Sequence, residues 1–220
     1  MKNVLITGVS RGIGKALAEK FLKEGYFVIG TSTTGTADFS DKNLVVYKLD
    51  LSDSKSIHEC AAEIAKLGKK IDILINNAGA LLDGEERSVI IEKLRKTLEI
   101  NLIGTIDFTE KIIPLMNTGG HILNASSSAG ALARTKESND DIYPAYRISK
   151  TALNMYTRSL AVHLRDKMIV SSFHPGWVKT DMGGEDADMS PEEAANYIFD
   201  LAISKVETGQ FWFKGKKFDW

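Results

Sequence analysis

Short apolar runs alternate with longer amphipathic segments along nearly all of the 220-residue chain. The short runs are rich in Val, Ile and Phe, which favours β-strands. Between most of them, apolar residues recur at the 3.6-residue period of a helix, as at Ala16, Leu17 and Phe21. The predicted strands are residues 4–7, 27–31, 45–49, 71–76, 121–125, 169–174 and 211–213.

Continuous apolar strands separated by helices are typical of a parallel sheet that is covered on both faces. The pattern therefore predicts the α/β class, as a Rossmann-type doubly wound sheet of about seven parallel strands with helices on both faces. Residues 32–43 are polar and aperiodic, so the second crossover should lack a full helix. No linker, repeat or low-complexity tract interrupts the chain, which predicts a single domain over residues 1–220.

Composition excludes several functional classes. A net charge of -1 provides no basic excess for a nucleic acid. The single Cys60 rules out an internal disulfide, and the four scattered histidines predict no metal site. No apolar run approaches the length that spans a bilayer, and no signal peptide is recognisable, so we expect a cytoplasmic protein that does not bind membranes.

The turn after the first strand is rich in glycine. It comprises Gly8, Val9, Ser10, Arg11, Gly12, Ile13 and Gly14, and it leads into an amphipathic helix. Glycine allows a tight turn and a close approach to a pyrophosphate, which the helix N-terminus then attracts. The spacing differs from the commoner Gly-x-Gly-x-x-Gly. The pattern predicts a dinucleotide site; the alternative is a strand-to-helix turn without a ligand.

The end of the second strand indicates which dinucleotide is bound. An acidic residue there would hold the ribose hydroxyls of NAD and repel a 2′-phosphate. This chain has Ser32 and Thr33 instead, with no acid before Asp38, and Arg11 lies in the glycine turn. Hydroxyls and a guanidinium suit a phosphate group. We therefore predict NADP(H) rather than NAD(H).

Tyr146 and Lys150 are spaced four residues apart, which places both side chains on one face of a helix. An ammonium near a phenol stabilises the phenolate and makes the phenol a better acid-base catalyst at neutral pH. Such a pair also occurs by chance on solvated helix faces. Its meaning depends on the rest of the chain.

With these motifs together, the sequence resembles the short-chain dehydrogenase/reductase family. The matching segments occur in the family's order and cover essentially the whole chain: residues 7–14, 50–51, 76–79, 101, 124–130, 146–150 and 175–180. Residues 174–184 and the ending 215–220 look similar to the small carbonyl reductases of the sniffer and C-factor type.

The resemblance implies a catalytic set. Tyr146 would be the general acid that protonates a carbonyl oxygen, and Lys150 would lower the pKa of Tyr146 and hydrogen-bond the nicotinamide ribose. Ser127 would donate a hydrogen bond to the substrate oxygen, although it is one of three adjacent serines. Asn101 would hold a water that passes protons to Lys150, or would simply be a polar residue inside a helix.

The resemblance also implies further cofactor contacts. Asp50 would accept a hydrogen bond from the adenine amino group, with the Leu51 amide nearby. The adenine ribose would lie beside residues 77–79, unless that turn only stabilises the sheet. The remaining contacts, to the nicotinamide, would come from the segment after the sixth strand. The full set after the second strand is Asp50, Leu51, Asn77, Ala78, Gly79, Tyr146, Lys150, Pro175, Gly176, Val178 and Thr180.

The implied activity is the NADPH-dependent reduction of a ketone or aldehyde to an alcohol, or the reverse oxidation. A nucleotide-binding regulatory protein with little turnover is the alternative. More residues separate Ser127 from Tyr146 than is usual in the family, so the charged loop at 134–141 should form a wall of the substrate pocket, with Trp177 and Met182 as apolar contacts. Relatives commonly pair through the helices after Asn101 and at 146–164, which implies a homodimer or homotetramer.

Overall fold

The structure, a computed structural model, describes residues 1–134 and 143–220. From residue 135 onward, the charged loop predicted at 134–141 lies outside these ranges. Within them, the chain forms an eight-stranded sheet in the order β3-β2-β1-β4-β5-β6-β7-β8. The strands are β1 Asn3–Thr7, β2 Phe27–Ser32, β3 Leu44–Lys48, β4 Ile71–Asn76, β5 Met116–Ala125, β6 Ile169–Phe173, β7 Gln210–Phe213 and β8 Lys216–Lys217.

The first seven strands are parallel, as predicted. The eighth strand was not predicted, and it pairs antiparallel with β7. Its two lysines carry no apolar pattern. Lys214 and Gly215 both adopt positive φ angles, of 47° and 74°, and this turn folds the chain back onto β7.

Helices cover both faces of the sheet, which confirms the doubly wound architecture. The helices are α1 Gly12–Lys23, α2 Ser54–Lys66, α3 Ile91–Leu98, α4 Thr105–Ile112, α5 Pro144–His163 and α6 Pro191–Ile203. One buried cluster joins α1 and α6 to the sheet, and a second joins α2, α4 and α5 to the opposite face. No helix connects β2 to β3, as the polar stretch at 32–43 predicted.

The strand order reverses between β1 and β4, because β2 and β3 lie on one side of β1 while β5 and β6 lie beyond β4. Ligands bind at such a switch point, outside the carboxyl ends of the strands. The segments predicted to form the site follow the carboxyl ends of β1, β2, β4, β5 and β6. Among residues 1–134 and 143–220, no helix is long and apolar enough to cross a membrane.

Candidate active site

Two adjoining cavities open at this edge of the sheet. The first, which we call the glycine cleft, has a volume of about 480 Å³ and is lined by residues 8, 10–14, 31–33 and 77–79 among others. The second, the serine cavity, has about 490 Å³ and is lined by Ser127 and by parts of residues 143–147 and 174–183. The residues that line both are Ile13, Tyr146, Pro175, Thr180 and Met182.

The glycine turn is built so that only glycine fits. Gly8 and Gly12 have φ angles of 75° and 55°, in the left-handed region. A Cβ on Gly14 would lie 1.9 Å from the Gly8 carbonyl oxygen. The Asn77 side chain donates to the carbonyl oxygens of Thr7 and Gly8, at 2.9 and 3.3 Å, and so holds the turn against β4. Asn77 therefore lines the cleft and also stabilises the sheet.

Helix α1 begins inside the glycine cleft. Its N-cap, Arg11, makes no side-chain capping hydrogen bond, and the first turn contains no acidic residue. The free N–H groups and the positive end of the helix dipole therefore remain available to an anion at Gly12, Ile13 and Gly14. These residues fit the diphosphate of a dinucleotide.

Two cations near the cleft form ion pairs. Arg11 forms an ion pair with Asp181, and both side chains are largely exposed. Lys15 pairs with Asp38 at 2.8 Å. The Ser32 hydroxyl accepts from the Thr36 N–H at 3.0 Å and donates to the Thr36 carbonyl at 2.7 Å. Arg11 and Ser32, two of the side chains predicted to bind a 2′-phosphate, thus lie at the cleft but have local partners.

Asp50 differs from the sequence prediction. It is not among the residues that line the glycine cleft, whereas its neighbour Leu51 is. The Asp50 carboxylate accepts hydrogen bonds from the Ser52 hydroxyl and N–H, at 2.6 and 2.8 Å. These hydrogen bonds hold the pKa of Asp50 below its usual range. Asp50 instead lines a hollow between β3 and α2.

The Ser127 hydroxyl faces Tyr146 in the serine cavity, and its interaction with the phenol lowers the pKa of Tyr146. The Ser127 hydroxyl oxygen also accepts from the Ala129 N–H at 3.1 Å, which fixes its position at the start of a short 3₁₀ turn, Ser128–Gly130. The Ser126 hydroxyl instead donates to the Lys150 carbonyl at 3.4 Å. Of the three adjacent serines, Ser127 is the one placed against Tyr146.

Lys150 is buried beside Tyr146. Its ammonium donates to the Ala125 carbonyl at 2.7 Å and lies 5.4 Å from the centre of the Tyr146 ring. Burial lowers the pKa of Lys150 to about 8. Burial likewise raises the pKa of Tyr146 to about 12, against the lowering effect of the Ser127 hydrogen bond. The lowering of the Tyr146 pKa by Lys150 stays a prediction.

Asn101 lies in a π-helical segment, Glu99–Gly104, between α3 and α4. Its amide is fully engaged, accepting from the Ala80 N–H at 2.8 Å and donating to the Ala80 carbonyl at 2.8 Å and the Ser149 hydroxyl at 3.1 Å. It lines neither cavity. A Cβ on Gly79 would lie 3.2 Å from the Asn101 side-chain oxygen and 3.4 Å from the Lys150 side-chain nitrogen. Both side chains therefore lie close to the Gly79 backbone.

The segment after β6 borders both cavities. Pro175 and Thr180 line both, whereas Gly176 and Val178 line only the serine cavity. Trp177 and Met182, predicted as apolar contacts, also line the serine cavity and are 51% and 45% exposed. The Trp177 indole donates to the Gly183 carbonyl at 2.7 Å, which holds this segment in a closed turn.

Seven residues that line the serine cavity were not predicted as site residues: Leu81, Ser128, Ala129, Tyr143, Arg147, His174 and Gly183. Tyr143 packs edge-to-face on Tyr146, with ring centres 6.2 Å apart, and adopts a left-handed φ of 52°. His174 lies at the end of a predicted strand, directly before the Pro175-Gly176 pair, and this position could have indicated that it lines the cavity. In the described part of the chain, no group of three or more His, Cys, Asp or Glu side chains could hold a metal ion.

Comparisons with known proteins identify the family. The family model described as short chain dehydrogenase matches residues 2–191. The chain is 30% identical over 201 residues to 1-hydroxy-2-glutathionyl-2-methyl-3-butene dehydrogenase of Rhodococcus sp. (strain AD45), covering 89% of this chain and 88% of that protein. The chain belongs to the short-chain dehydrogenase family and is an NAD(P)-dependent oxidoreductase of that class.

Two solved structures show the same architecture over the whole chain. The carbonyl reductase Sniffer of D. melanogaster is 26% identical, with a TM-score of 0.87 and full coverage of both chains. The NADPH-bound carbonyl reductase from chicken fatty liver is 26% identical, with a TM-score of 0.88, covering 100% of this chain and 94% of that one. The sniffer-type resemblance inferred from residues 174–184 and 215–220 is thereby confirmed.

Proposed function

We propose that the protein is an NADPH-dependent carbonyl reductase that reduces a ketone or aldehyde, with Tyr146 as the proton donor. The observation that carries this proposal is that Ser127 and Tyr146 line the serine cavity together, while Tyr146 also borders the glycine cleft. A carbonyl oxygen placed there would meet two hydroxyl donors while its carbon faces the glycine cleft. Similarity to two carbonyl reductases supports the same reaction.

The glycine cleft suits the dinucleotide because its turn lacks side chains and its helix end lacks a cap. When bound, NADPH would supply the hydride. We propose the contacts predicted from the sequence, with Asp50 using the carboxylate oxygen that does not accept from Ser52. Arg11 and Thr33, at the polar end of the cleft, would recognise the 2′-phosphate, and the chicken liver enzyme was solved with NADPH bound.

Three side chains of this chain would perform the chemistry. Ser127 would position the carbonyl oxygen by donating its hydroxyl proton. Tyr146 would transfer its phenolic proton to that oxygen as negative charge develops there. Lys150, with a pKa lowered to about 8 by its burial, lies 5.4 Å from the centre of the Tyr146 ring, where it would hydrogen-bond the nicotinamide ribose and help to restore the proton of Tyr146. Asn101 would keep Lys150 and the 79–80 segment in place.

The test is a panel of ketones and aldehydes assayed with NADPH and with NADH. We expect oxidation of NADPH by the wild type, and loss of about 10³-fold or more in kcat for Tyr146→Phe with NADPH binding retained. Tyr156→Phe is the matched control, because its hydroxyl bonds Glu110 at 2.9 Å on the outer side of α5. Turnover by Tyr146→Phe would overturn the mechanism, and NADPH binding without any turnover would favour the regulatory alternative.

We also propose that the protein forms a homodimer or homotetramer through α5 and the segment after Asn101. Exposed apolar side chains recur along this face, namely Ile103, Ile148, Met155 and Val162. Sedimentation should give a dimer or larger species, which Met155→Glu should dissociate; a monomer at all concentrations would contradict the proposal. A cytoplasmic location stays a prediction.

A further inference from the structure

The helix that carries Tyr146 has an unusual start. Its N-cap, Tyr143, is in the left-handed conformation and makes no side-chain capping hydrogen bond. The first helical residue, Pro144, has no N–H group. The Arg147 N–H is satisfied by the Tyr143 carbonyl at 3.1 Å. This is the first hydrogen bond within the helix, so the N–H groups of Ala145 and Tyr146, which precede it, have no partner inside the helix.

Both of these N–H groups donate to one carboxylate. The Ala145 N–H lies 2.6 Å from one oxygen of Asp83, and the Tyr146 N–H lies 3.3 Å from the other. Asp83 is far away in sequence, in the segment between β4 and α3, and it is 2% exposed. A buried carboxylate is stable only with partners, and here they are two N–H groups and the positive end of α5.

The same turn also fixes the residue before the helix. The Tyr143 N–H donates to the Glu86 carbonyl at 2.8 Å, and the Glu86 N–H donates to the Asp83 carbonyl at 3.0 Å. Residues 83–86 thus hold both the left-handed Tyr143, which lines the serine cavity, and the backbone of Tyr146. Among residues 1–134 and 143–220, no other side chain caps this helix.

We propose that Asp83 is a positioning residue for the reduction, capping α5 from outside the helix so that the Tyr146 hydroxyl stays against Ser127. Tyr146 is the third residue of the helix, in the turn that frays first when a cap is lost. A displacement of about 1 Å at a reacting group costs on the order of 100-fold in rate. The proposal rests on the proposed function, since it assigns Tyr146 as the proton donor.

The experiment compares Asp83→Ala, Asp83→Asn and a control, Asp53→Ala. Asp53 caps α2 by accepting from the Lys55 N–H at 2.9 Å, and α2 carries none of the reacting groups. At saturating NADPH and carbonyl, we expect kcat to fall about 10- to 100-fold in Asp83→Ala, and by less in Asp83→Asn, whose amide oxygen still accepts a hydrogen bond. The Kd of NADPH should stay within about twofold, and Asp53→Ala should retain kcat.

Equal kcat values in wild type and folded Asp83→Ala would overturn the proposal. If Asp83→Ala does not fold, the test relies on Asp83→Asn. A wild-type kcat together with unchanged amide exchange in Asp83→Asn would also overturn the proposal. If the wild type reduces no carbonyl, the proposed function fails separately. Hydrogen exchange at the Ala145 and Tyr146 amides then tests the cap: Asp83→Asn must accelerate it and Asp53→Ala must not, and unchanged exchange in Asp83→Asn would refute the role of Asp83.

Discussion

The glycine cleft and the serine cavity are similar in size but differ in construction. The phosphate-binding side of the cleft is formed mainly by backbone: the glycine turn, strand ends and the start of α1, which are close together in sequence or in the sheet register. The serine cavity is formed by side chains from five separate segments, at residue 13 and around residues 81, 127–129, 143–147 and 174–183. A site built from backbone suits a ligand that a whole family shares, such as the cofactor. Side chains on separate segments can change independently of one another, so the serine cavity can set which substrate is accepted.

The first prediction would break the cleft. In Gly14→Ala, the new Cβ would lie 1.9 Å from the Gly8 carbonyl oxygen and 2.6 Å from the Asn77 side-chain nitrogen. Because both neighbours are fixed by hydrogen bonds, the turn must open, at a cost of about 3 kcal/mol or more in unfolding free energy. We expect the Kd of NADPH to rise at least about 100-fold as the phosphate-binding N–H groups move.

Gly84→Ala is the control for this change. A Cβ at Gly84 would meet only the flexible Leu81 side chain, at 3.7 Å. Urea unfolding and fluorescence titration with NADPH measure both effects. Unimpaired NADPH binding by Gly14→Ala would show that the turn is not the phosphate site.

The same contrast explains what the sequence could predict. The seven parallel strands and the glycine turn follow from local patterns, and they were predicted correctly. The adenine contact of Asp50 stays a prediction; its hydrogen bonds with Ser52 are an interaction that strand-end position alone does not reveal. Asp83, Tyr143 and the Arg11–Asp181 pair were missed because they depend on contacts between distant segments. The choice of Ser127 among three serines, in contrast, agrees with the geometry.

The second prediction concerns the cost of burying Lys150 at the junction. Burial lowers the pKa of Lys150 to about 8 in the folded protein, from its ordinary value of 10.5. Below pH 8 the lysine is protonated in both the folded and the unfolded state, so folding has to bury a charged ammonium. Between pH 8 and 10.5 the unfolded state binds more protons, so the stability of the wild type rises with pH.

Lys150→Met removes this dependence. Relative to that variant, the wild type should gain about 1.4 kcal/mol of unfolding free energy per pH unit across this window, or about 3 kcal/mol in all. Urea unfolding of both proteins at pH 7, 8, 9 and 10, without cofactor, measures it. A difference that is constant with pH would mean that Lys150 is not buried as a cation.

The third prediction tests whether Arg11 recognises the 2′-phosphate of NADPH. In Arg11→Ala, the Kd of NADPH should rise about tenfold, because a charge-assisted contact to the 2′-phosphate is lost. The Kd of NADH, which lacks that phosphate, is the internal control and should change by less than about twofold. An equal change for both cofactors would place Arg11 at the diphosphate instead.

The last and smallest effect tests whether the two regions act separately. Asp181 belongs to the segment that borders both cavities, and its carboxylate pairs with Arg11, which must exchange this partner for a phosphate. An exposed pair of this kind contributes about 0–1 kcal/mol, so Asp181→Asn should lower the Kd of NADPH by up to about fivefold. The gain should disappear at high salt, where exposed charges are screened. Asp38→Asn, which releases Lys15 rather than Arg11, is the matched control and should leave the Kd nearly unchanged.

If Asp181→Asn alters the KM of the carbonyl as much as the Kd of NADPH, the cavities are coupled through this segment, and the division between a backbone-built cleft and an independent serine cavity is wrong.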